Sequence, residues 1–132
     1  MTAPFTPLGF DHVVLRVRDQ AATVRFYCDV LGCTVDRVNE RISLIHLRFG
    51  EQFIDLLPAD GEVPPPDRRG MDHVCLSIAC DSLEAVAESL RAHGVRLEGD
   101  IVKRYGAWGD GPSLYLRDPD DYVVELKPRA RT

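Results

Sequence analysis

The sequence lacks the features that would assign the protein to a membrane or to nucleic acid. No apolar run approaches the roughly 20 residues that a membrane-spanning helix requires, and the N-terminus has no charged-then-apolar leader pattern. Positive charge is also scarce, because 16 lysines and arginines are outnumbered by 21 aspartates and glutamates, for a net charge of −5. A non-specific nucleic-acid binder would need a basic face. We therefore expect a cytoplasmic protein that contacts neither membranes nor nucleic acid.

Cysteine is scarce as well, with four residues at positions 28, 33, 75 and 80. Neither pair has the two-residue gap typical of zinc knuckles, and a chain of 132 residues can fold without disulfides. We interpret Cys75 as strand core or cavity lining and Cys28 as helix surface. A hydrophobic content of 45% supports an ordinary core, and we expect one domain spanning residues 1–132.

An internal repeat is the most informative feature that is present. Residues 10–15 (FDHVVL) recur as residues 71–76 (MDHVCL). Both segments alternate like half-buried strands, so His12 and His73 occupy the same place on the same face of equivalent strands.

Each copy continues with a predicted helix and then with paired strands. Asp19 and Gly32 bound the first helix, and Asp81 and Gly94 bound the second, where Asp81 with Glu84 forms a capping-box pattern. The predicted strand pairs are 43–48 with 53–58, and 113–117 with 123–128. Modules at 8–58 and 71–128 result, joined by a proline-rich linker at 59–70.

The repeat places a histidine on the first strand and a carboxylate on the last strand of each module. If the modules pack as a pseudo-symmetric pair, His12, His73, Asp55 and Glu125 can converge on one divalent ion such as Zn, Ni, Mn or Fe(II). An isolated strand histidine is more commonly a hydrogen-bonded structural residue. A carboxylate within an apolar strand, however, is costly to bury unless it is paired or bound to metal.

These motifs resemble the vicinal oxygen chelate superfamily of glyoxalase I, fosfomycin- and bleomycin-resistance proteins, methylmalonyl-CoA epimerase and extradiol dioxygenases. The resemblance lies in DHVVL (11–15), RFYCDVLG (25–32), DHV (72–74), LRDPD (116–120) and VEL (124–126), and it covers nearly the whole chain. It is strongest to small bacterial glyoxalase-domain proteins, which are labelled virulence proteins or glyoxalase-domain-containing protein 5.

The resemblance implies an α+β fold in which two tandem βαβββ modules form a cup-shaped mixed sheet with helices outside. It also implies one divalent metal per site, a small-molecule substrate with adjacent oxygens, and a homodimer, the site lying within one chain or between two. The activity it favours is that of a lyase or isomerase like lactoylglutathione lyase, with thiol-conjugated compounds among the candidate substrates. The alternatives are an Fe(II) ring-cleaving dioxygenase and a non-enzymatic drug-binding protein of the bleomycin-resistance type.

One departure from the family concerns Asp55, because glyoxalase I has glutamate there and aspartate is one methylene shorter. Asp55 could therefore ligate the metal, act through a water or serve as a base, while Glu125 remains both ligand and catalytic carboxylate.

Other candidates rest on strand parity and on the resemblance. Tyr115 is expected to donate a hydrogen bond to substrate, and His46, at the matching position of the first module, to act as a general base or to support a ligand. Arg104 and Trp108 lie in a glycine-punctuated segment interpreted as a mobile loop that binds an anionic substrate. Arg16 is expected to face the cavity or its rim. For each, a structural or solvated surface role is the alternative.

Overall fold

The protein is described by a computed structural model that covers residues 3–130. The chain divides into two compact units, with the boundary between Gly61 and Glu62. Each unit contains a four-stranded mixed sheet with few helical segments, so the fold is α+β as predicted. In the part of the chain that the structure describes, no helix is long and apolar enough to cross a membrane.

The first unit has the βαβββ order. Its elements are β1 (His12–Val17), α1 (Gln20–Arg25), a π-helical turn (Phe26–Val30), β2 (Thr34–Asn39), β3 (Leu44–Phe49) and β4 (Gln52–Pro58). The sheet order is β1-β4-β3-β2, with β1 parallel to β4 and the other pairs antiparallel. This pairing places the end strand of the module directly beside its first strand.

The second unit repeats that order after a short 3₁₀ turn (Pro66–Arg68). Its elements are β5 (Val74–Ile78), α2 (Leu83–Ala92), β6 (Val102–Gly106), β7 (Gly109–Arg117) and β8 (Val123–Pro128). The sheet order β5-β8-β7-β6 and the parallel pairing of β5 with β8 match the first unit strand for strand.

The two faces of each sheet differ in chemistry because the strands alternate. One face is apolar and contributes most of the core; its buried residues are Leu15, Val17, Leu47, Ile54 and Leu56 in the first unit, and Leu76, Leu114, Leu116, Val124 and Leu126 in the second. The helix α2 adds Leu83, Ala87 and Leu90 to the second core and contacts β7. The opposite face carries the histidines and carboxylates singled out from the sequence, so burial of the apolar face fixes where those groups point.

The helix ends confirm part of the prediction and correct the rest. Asp19 caps α1 by accepting a hydrogen bond from the Ala22 amide (3.0 Å). The second helix, however, is capped by Ser82, whose Oγ accepts from the Ala85 amide (3.2 Å), so Asp81 is not the cap and the Asp81–Glu84 capping box does not form. Serine and aspartate are equally good caps, and the sequence places them side by side.

The glycine-punctuated segment that contains Arg104 and Trp108 is not a loop. Residues 102–106 form β6, which pairs in register with residues 109–113 of β7. Ala107 and Trp108 form the turn, and Gly109, which follows it, has a φ of +99° that favours glycine. The prediction of a mobile loop is wrong because these glycines serve a tight β-hairpin and, as described below, make room for a buried side chain.

Candidate active site

The strand registers place the two predicted carboxylates at equivalent points of the two sheets. Val14 pairs with Asp55 in the first unit, and Cys75, the equivalent of Val14, pairs with Glu125 in the second. The equivalence of Asp55 and Glu125 is therefore confirmed. Cys75 lies on the exposed face that carries His73 and not in the strand core.

In the second unit, His73 and Glu125 meet directly. His73 Nε2 lies 3.0 Å from Glu125 Oε1, and the Glu125 side chain is almost completely buried. The other ring nitrogen, Nδ1, lies 2.7 Å from a carboxylate oxygen of Asp72. The imidazole thus lies between two carboxylates, with Nδ1 directed to Asp72 and Nε2 directed to Glu125.

Glu125 is held by further donors from β7. Ser113 Oγ donates to Glu125 Oε2 at 2.6 Å, and both residues are buried. Burial raises the pKa of Glu125, but hydrogen bonds from Ser113 and Tyr115 and the proximity of His73 outweigh burial, and the pKa lies below its ordinary value. Glu125 is therefore an oriented, ionised carboxylate at neutral pH.

Tyr115 and Arg104 complete this cluster. The Tyr115 ring packs edge-on against His73, with centroids 5.6 Å apart, and the Arg104 guanidinium lies 5.9 Å from the centre of the Tyr115 ring. Burial raises the pKa of Tyr115, and Glu125 acts in the same direction. Together they outweigh Arg104, which lowers this pKa. Tyr115 thus keeps its proton at neutral pH and can donate a hydrogen bond.

The first unit contains a related but different arrangement. His12 Nδ1 lies 2.7 Å from Asp11, as His73 does from Asp72. The hydrogen bond with Asp11 raises the pKa of His12, and Asp55 contributes in the same direction. Buried Asp55 is held by His46, whose Nδ1 lies 2.9 Å from Asp55 Oδ1.

His46 occupies the position in its sheet that Tyr115 occupies in the other. His46 pairs with Asp55, and Tyr115 pairs with Glu125. The match predicted from the sequence is confirmed. The two positions hold different chemistry, however, because a ring nitrogen replaces a phenol beside the carboxylate.

The other two predicted substrate contacts make different interactions within their units. Arg16 is on the His12 face of β1, as parity predicts, and its guanidinium donates to the Pro58 carbonyl (3.3 Å) at the end of β4. Trp108 lies in the β6–β7 turn with its ring 4.3 Å from the Arg129 guanidinium. A concavity of about 380 Å³ lined by residues 79–81, 129 and 130 contains none of the predicted site residues.

Three supporting residues were missed by the reasoning from sequence, although the sequence contained a signal for two of them. Asp11 and Asp72 each precede a site histidine, so the repeated Asp-His pair was visible. Ser113 carries no comparable signal, because the hydroxyl reaches Glu125 only through the β7–β8 register.

In residues 3–130, no three histidine, cysteine, aspartate or glutamate side chains are grouped so that they could hold a metal.

Comparison with known proteins identifies the family. Residues 9–126 match the family described as the Glyoxalase/Bleomycin resistance protein/Dioxygenase superfamily. The chain is 37% identical over 120 residues to virulence protein STM3117 of Salmonella typhimurium, covering 88% of this chain and 81% of that one. It is 31% identical over 133 residues to lactoylglutathione lyase GLX1 of Arabidopsis thaliana, covering 93% of this chain and only 45% of the relative.

The fold agrees with that sequence relationship. An integron cassette protein from the mobile metagenome of V. Pseudocholerae superposes with a TM-score of 0.76 at 31% identity, covering 96% of this chain and 98% of the other. The resemblance to virulence-protein members is also confirmed. The chain belongs to the Glyoxalase/Bleomycin resistance protein/Dioxygenase superfamily.

Proposed function

We propose that the protein is a divalent-metal-dependent enzyme, a lyase or isomerase like lactoylglutathione lyase, acting on a small substrate that offers adjacent oxygen atoms. His12, His73 and Glu125 hold the metal, and Asp55 is the fourth candidate ligand. The observation that carries the proposal is the His73–Glu125 pair, with Asp72 fixing the far side of the imidazole.

The donor chemistry of His73 and Glu125 suits a divalent ion, and the third donor, His12, would join this pair when the ion binds. His73 Nε2 and Glu125 Oε1 lie 3.0 Å apart, so both could contact one ion bound beside them. Imidazole with carboxylate suits Zn, Ni, Mn and Fe(II). A carboxylate behind a ligating histidine, as Asp11 and Asp72 are placed here, is the usual outer partner of such a ligand.

A bound divalent ion would supply Lewis-acid stabilisation of negative charge on substrate oxygens. The protein contributes orientation and proton control. Ser113 fixes the carboxylate of Glu125, and Tyr115 is a protonated donor next to it. Arg104, beside the Tyr115 ring, supplies positive charge for an anionic substrate.

Asp55 is given a separate role by its contact with His46. The imidazole holds one oxygen of the short, buried carboxylate. We assign the Asp55–His46 pair to proton transfer, since a carboxylate and an imidazole in hydrogen-bond contact can pass a proton between them. An Asp55→Asn variant then loses turnover while it keeps most of its metal affinity.

Of the three activities that the resemblance allows, the lyase or isomerase is supported by the match to lactoylglutathione lyase GLX1. The test is an assay of protein loaded in turn with Zn, Ni, Mn and Fe(II). Thiol-conjugated 2-oxoaldehydes probe the isomerase, and oxygen uptake with catechols probes the dioxygenase. A Glu125→Gln variant should be inactive, whereas Glu88→Gln, an exposed change on α2, should match the unmodified protein. Absence of turnover of the thiol-conjugated substrates with every metal, or oxygen uptake with catechols alone, would refute the proposal.

Because both units supply ligands, the centre is completed either within one chain or between two copies in a homodimer. Mixing and refolding His12→Ala with His73→Ala chains distinguishes these cases. A site shared between chains restores roughly a quarter of the metal capacity through mixed dimers with one intact site. A site within one chain restores none.

A further inference from the structure

Lys127 is a buried positive charge for which the metal centre has no evident use. Its side chain is 9% exposed, and its ammonium group donates to the carbonyl oxygens of Arg104 (2.6 Å) and Gly111 (3.0 Å). Both acceptors are neutral. Within residues 3–130, Lys127 makes no ion pair with a carboxylate.

The hairpin is built around this side chain. A Cβ on Gly106 would lie 2.9 Å from Lys127 Cε, and a Cβ on Gly111 would lie 3.6 Å from Nζ. Glycine at position 106 therefore leaves room for the lysine stem to pass under β6. Burying a charge without an opposite charge beside it is costly. Because the sequence buries the ammonium group and also places a glycine where a side chain would collide with the lysine, we expect the charge to have a function.

Lys127 lines a cavity of about 210 Å³, and Ser77, Trp108 and Arg129 are among the other lining residues. Ser77 pairs with Lys127 across β5 and β8. Two of the three ammonium N–H groups are used by carbonyls, which leaves one donor. Asp110 is the acidic residue of the lining, and it is exposed, whereas Lys127 and Arg129 give the cavity a net positive charge.

We propose that this cavity is an oxyanion-binding subsite, in which Lys127 receives a carboxylate or phosphate group with Ser77 and Arg129 beside it. Its volume is below the roughly 300–1,000 Å³ of complete small-molecule sites, so it accommodates one charged group and not a whole ligand. A charge-assisted hydrogen bond from the ammonium group provides the binding energy.

The position of the subsite also narrows the substrate class. Lys127 follows Glu125 by two residues on the same strand face, a spacing of roughly 7 Å along the strand. The substrate is thus a small molecule that carries an anionic group in addition to its chelating oxygens. This assignment to the substrate rests on the proposed metal-dependent function, whereas oxyanion binding at Lys127 does not.

Trp108 is the only tryptophan of the chain and lines the cavity, so its fluorescence reports occupancy. The 132-residue protein, stripped of metal by a chelator, is titrated with acetate and separately with inorganic phosphate at constant ionic strength. We expect a saturable change with at least one of the two, and the better ligand identifies the type of oxyanion. A Lys127→Met variant should bind at least tenfold more weakly, while Lys103→Met, an exposed change on β6, should bind like the unmodified protein.

If circular dichroism shows that Lys127→Met does not fold, a second variant still tests the subsite. Ser77→Asp places a negative charge beside an intact Lys127 at an exposed position and should also weaken binding at least tenfold. Failure of both anions to give a saturable change, or equal affinity in the folded Lys127 or Ser77 variants, would overturn the subsite. Because the protein is metal-free throughout, these outcomes are independent of whether the metal centre exists.

Discussion

Removing the Ser113 hydroxyl tests how Glu125 is held. In metal-free protein at neutral pH, we expect Ser113→Ala to lower the free energy of unfolding by about 1.5–3 kcal/mol, the range for a hydrogen bond to a charged group. The upper part of the range applies because the bond is short (2.6 Å) and both partners are buried. Urea denaturation followed by far-UV circular dichroism measures the change, and the slope with denaturant should not alter.

The same variant has a defined pH dependence. The pKa of Glu125 lies below its ordinary value, so the stabilisation is present above the unfolded-state pKa and is lost as pH falls through the folded-state pKa. Since Ser113 contributes to that lowering, the deficit of the variant should shrink in acid. A matched change, Ser77→Ala on the exposed side of β5, should cost less than about 0.5 kcal/mol. If Ser113→Ala costs no more than Ser77→Ala, Glu125 is not oriented by this hydroxyl.

Two further predictions concern the framework of the second unit. The hydrogen bond from Arg96, followed by the charges of Arg96, Arg117 and Arg69, lowers the pKa of Asp121. Asp121→Asn should therefore lower the free energy of unfolding at neutral pH, by no more than about 1 kcal/mol because the ion pair is exposed. A pH series of denaturation curves should show this difference vanish below the folded-state pKa. Leu116→Ala truncates a core side chain that is 0% exposed and should lower the free energy of unfolding by about 2–5 kcal/mol. Thermal unfolding measures this loss, and a loss below about 1 kcal/mol would contradict the prediction.

The sequence predicted the equivalent positions of the histidines and carboxylates within each unit because the repeat constrains them. Two strands with the same alternation and the same spacing to a carboxylate must present their groups on equivalent faces. The registers Val14 with Asp55 and Cys75 with Glu125 are the structural form of that repeat. The pairing of His46 and Tyr115 with these carboxylates was predictable for the same reason.

The features that the sequence did not predict depend mostly on contacts between segments that are distant in the chain. Ser113 and Lys127 acquire their partners through strand pairing between distant segments. The β6–β7 hairpin was mistaken for a loop because its glycines and charged residues are typical of loops, whereas Gly106 is required by the stem of Lys127. The error at the start of α2 arose because Asp81 and Ser82 are both capable caps.

The most direct test of the metal centre is elemental analysis of the purified protein after each divalent ion has been added and the excess removed. The unmodified protein and His93→Ala, which changes a histidine that bonds only the Ser89 carbonyl at the end of α2, should each retain about one ion per site. His73→Ala should retain little or none, while remaining folded by circular dichroism. Equal metal content in the His73 and His93 variants, or no bound metal in the unmodified protein with any ion, would contradict the proposed centre.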